Sequence, residues 1–514
     1  MPSASPAGSG PEPTHFPMNP FRNLVVAGSG TDALLAAVTI KRALPNLPVI
    51  LVRDPQAAAS DPAGESTVPS VLQHLVHGVG LQGPEVHLQG RPVWTLGFKC
   101  LWGARGSFFR SFDAPFANGM AGFQTVPGFL AAEKGLDAAS PGAALMAAGK
   151  LFPRDGANAF KPLEHITGLT FKTESLNAML LRACRVAGVV VRDGKVTGFT
   201  CDPDTLQLEG GGSIVADLYV DATGREAQLS TLAGNAGWTG YDLPCTRAAT
   251  VLRRRGSEPI RPFTTIETLD SGWRWRVEHD DSVGMGTAWN PEFTSDDEAC
   301  ADLVAKAGDS SLVPQVQTWN CGHRTAAWTG NVVAVGDANG FLEPLSSMRL
   351  VHLIRHVQWL VRILVETDGM PGDRSRELYN RVAAGAWSET RDFHATHYHF
   401  NTASQSAFWQ AARETKPLVH AGLVDLYQSI GPSPILEACI PASPGVIGLE
   451  AWMAALLGLG VPFRHHPEIP ANEQKVWDSH CEQRRQMARQ AVHAELCLGA
   501  ARNAVKPAPR VPLP

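Results

Sequence analysis

The sequence lacks the features that would assign it to several common classes of protein. It has no excess of positive charge: the formal net charge of the 514 residues is −5, and no stripe of lysine or arginine is interleaved with aromatic residues. Nucleic-acid binding is therefore not expected. No run approaches the roughly 18 uninterrupted apolar residues that a membrane-spanning helix needs, so no membrane association is predicted.

A pattern of paired cysteines is also missing. The nine cysteines are odd in number and scattered, and no two form a C-x-x-C pair. This usage is typical of reduced core thiols in a cytoplasmic protein, and it predicts neither a disulfide framework nor a metal site. Residues 1–20 are rich in proline, serine and glycine without an apolar signal core, so a disordered tail is expected there. The remaining length allows two or three domains, or one large domain with a substantial core.

The most informative stretch is a glycine turn that follows a short apolar run, Leu24–Ala27, and precedes a stretch of helical composition. Gly28 permits a tight turn, Gly30 lets the backbone approach a pyrophosphate, and Ala33 is small enough for helix and strand to pack. The N-terminus of the helix that follows would offer free N–H groups to the anion. The pattern predicts a βαβ dinucleotide-binding unit, and a glycine turn without a nucleotide is the alternative.

A second apolar run, Val49–Val52, ends about twenty residues after the glycines, where such a unit places the acid that meets a ribose. Arg53 stands at the end of this strand. Asp54 follows one position later and is the candidate for the ribose contact.

Three side-chain patterns are candidates for chemistry. Lys99 stands alone in an alternating, otherwise apolar stretch, where a lysine usually extends to solvent. Trp273 and Trp275 are two residues apart and share one face of a predicted strand, where packed core aromatics are the alternative. His394 and His397 share a helical face, but no carboxylate or cysteine completes a ligand set, so no metal is predicted.

Several motifs follow one another along the chain in an order that is far more specific than one glycine loop. They are Gly28-Ser29-Gly30-Thr31-Asp32-Ala33, Gly64-Glu65-Ser66-Thr67-Val68-Pro69, Phe98-Lys99, Trp273-Arg274-Trp275-Arg276-Val277, Gly336-Asp337 with Phe341-Leu342-Glu343-Pro344-Leu345, and Arg391-Asp392-Phe393 with His397-Tyr398-His399 and Phe408-Trp409. Over about residues 22 to 465 this series resembles the flavin-dependent halogenases of the tryptophan halogenase family.

The resemblance implies an α/β fold with a Rossmann-like FAD-binding domain and a β-sheet plus helical substrate module, as in flavin monooxygenases and halogenases. The expected FAD-binding domain is discontinuous and comprises residues 21–230 and 320–370. Residues 231–319 and 371–465 are expected to form the substrate module. Residues 466–514 are expected to form a peripheral C-terminal helix and tail.

The resemblance also implies which residues bind what. FAD, used as FADH2, is expected to contact Gly28, Gly30, Thr31, Ala33, Asp54, Glu65, Ser66, Thr67, Asp221, Gly336 and Asp337. The substrate or the halide is expected to contact Trp273, Trp275, Phe112, Trp452, Pro344, Met348 and Arg349. Lys99, Ser346 and Ser347 are expected at the catalytic centre.

The implied chemistry is halogenation of an electron-rich aromatic substrate, such as an indole or tryptophan-like compound. Reduced FAD and O2 would convert chloride or bromide to hypohalous acid, which would pass to Lys99, and the ammonium or a chloramine formed from it would present halogen to the ring. Trp273 and Trp275 would separate the substrate from the flavin. No second dinucleotide loop occurs for NAD(P)H, so a separate NAD(P)H-dependent flavin reductase is the expected partner. A homodimer is also compatible with the resemblance.

The sequence departs from the family pattern in four places. Ser346 replaces a glutamate that works with the lysine, although Ser347 is kept. Met348-Arg349 replaces the threonine and glycine whose backbone amides hold chloride, so the pair could close the halide site or supply positive charge to it. Arg53 replaces the ribose acid, and Arg110-Ser111-Phe112 replaces H-P-F. Two alternatives therefore stay open: an FAD monooxygenase that oxidises its substrate without halide, and a weakly catalytic protein that binds flavin or a partner.

Overall fold

The structure, a computed structural model, describes residues 21–57, 63–113, 136–155, 160–200, 204–440, 446–466 and 468–504. The tail expected at residues 1–20 lies outside these ranges. The helices are Thr31–Ala43, Pro69–Gln73, Gly83–Glu85, Pro141–Ala147, Thr173–Ala187, Gln228–Leu232, Asp296–Ala307, Arg349–Glu366, Asp373–His399, Ala407–Ala412, Ala421–Ile430, Leu449–Leu459, Ala471–Gln490 and Ala494–Ala504. None of these helices is both long and apolar enough to cross a membrane.

A six-stranded sheet forms the predicted nucleotide-binding half. Its strands lie in the order Trp328–Thr329, Val332–Ala334, Leu218–Asp221, Leu24–Ala27, Val49–Arg53 and Val190–Asp193, and all neighbours are parallel except the first pair. The central strands are continuous apolar runs because both faces of the sheet are covered. Leu24 and Val26 share a core with the helix Thr31–Ala43, and Val25 and Ala27 share one with a small antiparallel sheet that includes Leu206. The helix Thr31–Ala43 leaves the carboxyl end of the central strand, which confirms the α/β fold with a Rossmann-like unit.

A seven-stranded sheet carries the paired tryptophans. Its strands lie in the order Gln315–Thr318, Arg247–Arg254, Ser282–Trp289, Gly272–Glu278, Thr264–Leu269, Gly97–Leu101 and Phe108–Ser111. Neighbours are antiparallel except Thr264–Leu269 and Gly97–Leu101, which are parallel. The last two strands come from residues expected in the nucleotide-binding domain. The sheet therefore combines segments from both sides of the predicted boundary at residue 230.

Three small sheets and the remaining helices complete the fold. The small sheets are Ser213–Val215, Thr205–Leu208 and Val196–Thr200; Trp238–Gly240, Gly322–Arg324 and Gly340–Phe341; and Glu65–Ser66, Gly168–Phe171 and Val93–Thr95. The last of these sheets contains the short strand Glu65–Ser66. The 18-residue helix Arg349–Glu366 starts close to that strand.

The C-terminal region differs from the expected peripheral helix and tail. It contains two helices, Ala471–Gln490 and Ala494–Ala504. Trp477 is 1% exposed and belongs to the same hydrophobic core as the helix Thr31–Ala43. The region is apolar on one face and closes the main core, so it is an integral part of the fold.

Candidate active site

The glycine turn has the geometry that a dinucleotide needs. Gly28 adopts a φ of +145°, and a Cβ there would collide with the carbonyl oxygen of Ala222 and approach Ala33. A Cβ added at Gly30 would have no atom within 4 Å, so a ligand can approach this backbone. Gly30 caps the helix that begins at Thr31 without a side-chain hydrogen bond, which leaves the first N–H groups available to an anion.

The strand ends beside this turn differ in what they offer a cofactor. Arg53 pairs with Asp193 at 2.9 Å, and the backbone N–H of Asp54 donates to Ser29 of the glycine turn at 2.9 Å. Asp54 therefore lies next to the turn. Asp221 is fully buried and accepts hydrogen bonds at 2.6–3.1 Å from Thr223 and Ser230. Its carboxylate orders its own turn, which does not support the cofactor contact expected of it.

A cavity of about 460 Å³ lies beyond the turn. It brings together these expected residues: Glu65, Ser66, Trp275, Asp337, Pro344, Ser347, Met348 and Arg349. Thr264, Glu343, His352, Trp387, Thr390 and His394 also line it. Other expected residues from the same loops are buried outside it, namely Thr67, Gly336 and Ser346. The hydroxyl of Thr67 donates to the carbonyl of Leu169 instead.

Arg349 occupies the centre of a cluster of carboxylates at one end of this cavity. Its guanidinium lies 2.7 Å from Asp32 and 3.1 Å from both Glu65 and Asp337. Burial opposes its charge, but the three carboxylates raise the pKa of Arg349 above its ordinary value. Burial raises the pKa of Asp32 to about 6, although Arg349 lowers it. The positive charge of Arg349 is therefore already compensated, which does not support a halide contact there.

The paired tryptophans form one wall of the cavity and its backing. Trp275 lines the cavity, and Trp273 is fully buried behind it, with ring centroids 5.1 Å apart. Gly286 lies opposite Trp275 in the neighbouring strand, and a Cβ there would overlap the indole ring. The indole ring of Trp275 can therefore occupy this position only because residue 286 is a glycine.

Lys99 lies on the other face of this sheet. It pairs with Thr265, which pairs with Arg276, whereas Trp275 pairs with Ile266. Because paired residues project to the same face and neighbours to opposite faces, Lys99 and Trp275 point away from each other. The Lys99 ammonium lies 5.8 Å from the ring centroid of Phe109, and Lys99 does not line the cavity. This placement does not support the catalytic role expected for Lys99.

Phe112 and Trp452 also lie outside the cavity, in the aromatic core behind the tryptophans. The ring of Phe112 contacts Phe98 with centroids 5.8 Å apart. The ring of Trp452 contacts Phe393 with centroids 5.1 Å apart.

A buried chain of polar groups, which the sequence reasoning did not identify, borders the cavity. Ser346 Oγ and His394 Nε2 are 2.7 Å apart, and His394 Nδ1 lies 4.0 Å from Glu343 Oε1. The hydroxyl of Tyr398 and the Nε1–H of Trp273 donate to Glu343 Oε2 at 2.7 and 3.1 Å. His394 Nδ1 and Glu343 Oε1 have no hydrogen-bond partner within the described residues. The serine at position 346, where the family pattern has a glutamate, indicates that another group must accept the substrate proton.

Burial controls the protonation of this chain. It raises the pKa of Glu343 to about 7, against the hydrogen bonds from Tyr398 and Trp273, and it lowers the pKa of His394. The neutral forms are therefore favoured, and one proton can be shared between the two groups. In the described part of the chain, no group of three or more histidine, cysteine, aspartate or glutamate side chains is placed to hold a metal ion.

Comparison with known proteins identifies the fold and the family. The family model for tryptophan halogenase matches residues 23–474. The chain belongs to the tryptophan halogenase family. Among solved structures, MibH, a lathipeptide tryptophan 5-halogenase, superposes with a TM-score of 0.83 at 26% identity, covering 96% of this chain and 95% of MibH. BrvH, a flavin-dependent halogenase from Brevundimonas sp. BAL3, superposes with a TM-score of 0.82 at 22% identity, covering 94% of this chain and 99% of BrvH, which supports the fold alone.

Sequence relatives in the family match more locally. Tryptophan 7-halogenase KtzQ from Kutzneria sp. (strain 744) is 29% identical over 218 residues, which are 41% of this chain and 40% of KtzQ. Tryptophan 6-halogenase ThaL from Streptomyces albogriseolus is 23% identical over 435 residues, 77% of this chain and 80% of ThaL. In the first four curated relatives, the matched stretch spans 40 to 48% of the relative's length.

A flavin dinucleotide fits the residues present in this family member. The open backbone at Gly30 and the uncapped helix that begins at Thr31 suit a pyrophosphate. The carboxylate of Asp32 stands in the first turn of that helix, but it accepts from Arg349 and from the backbone N–H of Asp337. These contacts direct the Asp32 carboxylate towards Arg349 and Asp337, so the backbone turn at Gly30 stays open.

Proposed function

We propose that this chain halogenates an electron-rich aromatic substrate with chloride or bromide, using FAD in its reduced form. When bound, reduced FAD would supply the electrons that activate O2, and the activated oxygen would oxidise halide to hypohalous acid. The observation that carries the proposal is the 460 Å³ cavity walled by Trp275, whose lining residue Arg349 contacts Asp32 of a glycine turn open at Gly30. The family relationship and the solved structure of MibH agree with it.

The residues around the cofactor would bind and orient it. Backbone N–H groups after Gly30 would hold the pyrophosphate, and Asp54 lies close enough to the turn to meet a ribose. Glu65, Ser66 and Asp337 line the cavity and would contact the ring end of the cofactor.

The tryptophans would keep the substrate and the flavin apart. Trp275 is 5% exposed and Trp273 is fully buried, so the pair presents an indole face to the cavity and excludes water behind it. The separation would let a small inorganic oxidant pass while the organic substrate stays on its own side.

His394 would take the proton that the aromatic ring loses after halogen transfer. His394 Nε2 would take the proton while the hydroxyl of Ser346 turns to accept from it, and the ionised form of Glu343 would stabilise the imidazolium at Nδ1. This assignment is supported by the position of His394, which lines the cavity, and by the absence of a glutamate at residue 346. Lys99 is given no role.

The implied partners follow from the same reasoning. A second dinucleotide loop is missing from the sequence, so a separate NAD(P)H-dependent flavin reductase would deliver reduced FAD. The substrate would be a tryptophan-like or other electron-rich aromatic compound, because hypohalous acid reacts with such rings. Family members named for tryptophan halogenation support this substrate class.

One observation favours a second candidate, a monooxygenase that transfers oxygen without halide. Arg349 is neutralised by three carboxylates, and Met348 fills the neighbouring position on the cavity wall. A site closed to halide in this way would leave oxygen transfer as the remaining oxidation.

The test is turnover with a flavin reductase, NADH, FAD and O2 on a panel of indoles and phenols, with and without bromide, followed by mass spectrometry. The proposal expects a product with the bromine isotope doublet only when bromide is present. A product that gains one oxygen regardless of bromide would favour the monooxygenase. A chain that binds FAD and forms neither product would contradict both.

A further inference from the structure

We infer that Arg110 binds a small monovalent anion, either a halide ion or the carboxylate of an aromatic substrate, in the aromatic core behind the tryptophan wall. The inference deepens the proposed halogenation and rests on it, because it names where a charged reactant or substrate group would be held.

The strand pairing places Arg110 on the tryptophan face of the seven-stranded sheet. Arg110 pairs with Phe98, whereas Lys99 pairs with Phe109. Phe98 belongs to the same hydrophobic cluster as Trp275. Arg110 is therefore the cation that the last two strands of this sheet present to the tryptophan side, whereas Lys99 lies on the opposite face.

The environment of Arg110 is apolar and lacks negative charge. The residue is 4% exposed, and its guanidinium carbon lies 4.3 Å from the ring centroid of Phe98 and 5.1 Å from that of Phe393. Its Nη1–H donates to His397 Nε2 at 3.4 Å, while Nδ1 of the same imidazole donates to the carbonyl of Phe393 at 2.8 Å. A guanidinium has five N–H donors, so one long hydrogen bond leaves most of them unfilled.

Within the described ranges, no carboxylate lies within 4.0 Å of the Arg110 guanidinium. Three other buried arginines have a carboxylate partner: Arg255 lies 2.5 Å from Glu278, Arg274 lies 3.1 Å from Asp302, and Arg391 lies 3.0 Å from Asp392. Arg324 has no carboxylate partner within the described ranges, but its guanidinium donates to several backbone carbonyls, including those of Asn235 and Ala338. Arg349, the cation first considered for halide, faces three carboxylates. An unpaired buried cation is costly, and an anion that enters this site would offset that cost.

The surroundings suit an anion that arrives with, or beside, an aromatic ring. Phe393 contacts both Arg110 and Trp452, so ring faces surround the guanidinium. Burial and the neighbouring His397 lower the pKa of His394, and the charge of Arg110 lowers it further. The Arg110 guanidinium is therefore near His394, which lines the reaction cavity. Arginine binds carboxylates through paired N–H groups and also stacks on aromatic rings.

The test measures binding, so it does not depend on turnover. Indole-3-acetate and its neutral counterpart indole are titrated by calorimetry into the FAD-loaded wild-type protein and into the R110Q, R110K and K99Q variants. We expect the wild type and K99Q to prefer indole-3-acetate by about tenfold or more, R110Q to lose that preference, and R110K to keep part of it.

Crystals of the wild-type protein soaked in sodium bromide supply the second arm and do not require any variant to fold. An anomalous peak at the Arg110 guanidinium would identify a halide as the ligand, and a preference for indole-3-acetate without that peak would identify a carboxylate. An equal preference in wild type and R110Q, or no preference and no peak, would overturn the inference. If the enzyme brominates its substrate but shows neither the carboxylate preference nor the bromide peak, the inference fails and the proposed function stands. If Arg110 binds an anion but no bromination occurs, only the proposed function fails.

Discussion

Single side chains decide which chemistry this site can perform. Ser346 cannot act as the carboxylate base that the family pattern places there, yet its hydroxyl lies 2.7 Å from His394. The imidazole lines the cavity, and its Nδ1 lies 4.0 Å from Glu343 Oε1. The loss of one acid is thus accompanied by a buried histidine within hydrogen-bond distance of the substituted residue.

We predict that H394Q slows product formation about 100-fold, because general-base catalysis of this kind contributes that order of rate. Oxidation of bromide should continue, and a chemical trap for hypobromous acid measures it. A substrate deuterated at the reacting carbon should show a primary isotope effect in H394Q and little in the wild type. An unchanged rate with no isotope effect would exclude His394 as the proton acceptor.

The second residue-scale prediction concerns Glu343. Its folded-state pKa of about 7 lies above the ordinary value of 4.5. Between these values the folded protein holds a proton that the unfolded chain releases, so this carboxyl lowers stability as the pH rises from 4.5 to 7. E343Q mimics the neutral acid and should be more stable than the wild type by roughly 1 to 3 kcal/mol at pH 8.

Urea unfolding of both proteins at pH 4.5 and pH 8 checks this difference. The advantage of E343Q should vanish at pH 4.5, where both side chains are neutral. An equal difference at both pH values would contradict the raised pKa of Glu343.

At the scale of secondary-structure elements, the alternation of strands explains what the sequence could and could not predict. Alternation establishes that Lys99 and Phe98 project to opposite faces, but it does not say which face the site will use. That choice depends on pairing with Thr264–Leu269, which is distant in sequence. The glycine turn was predictable because all its determinants lie within a few consecutive residues, and the fold and the family were predicted from it and the later motifs.

The ion cluster at the start of the helix Arg349–Glu366 was not predictable for a related reason. Its carboxylates come from Asp32, Glu65 and Asp337, up to 317 residues away from Arg349. Sequence alone offered Arg349 as a free cation for halide. Only the folded arrangement reveals that its charge is compensated.

The strand pairing at Trp275 supports a prediction at the same scale. G286A would place a methyl group in the space of the Trp275 indole, so the ring must move or the strands must separate. We expect a loss of roughly 1 to 3 kcal/mol in unfolding free energy and weaker FAD binding. Tryptophan fluorescence and a fluorescence titration with FAD measure these effects.

G256A is the matched control, because a Cβ at that exposed glycine would meet no atom within 4 Å. It should behave like the wild type. If G286A also binds FAD and unfolds like the wild type, the tight packing of Trp275 against residue 286 is contradicted.

On the scale of the whole molecule, the C-terminal helices bind the two halves of the fold together. Trp477 is buried in the main core, and Glu495 accepts a hydrogen bond from the backbone of Ile260 at 2.5 Å. W477A should therefore cost about 3 to 5 kcal/mol of unfolding free energy. The neighbouring V476A, at a side chain 46% exposed, should change it by less than about 0.5 kcal/mol.

Chemical denaturation of the two variants separates these expectations. Equal stability of W477A and V476A would show that the C-terminal helices are peripheral, as the sequence first suggested. The sequence could not decide this point because a lone tryptophan in a charged helix does not reveal which surface it will meet.

Our proposal rests on one sequence of events: O2, activated by reduced FAD, oxidises halide, and the halogen is then transferred to an aromatic ring across the Trp275 wall. The most direct measurement is the mass spectrum of the product formed from an indole substrate with reductase, NADH, FAD and O2 in buffers that differ only in bromide. We predict a monobrominated product in bromide and no oxidised product in halide-free buffer. A product that carries one additional oxygen atom in both buffers would contradict it.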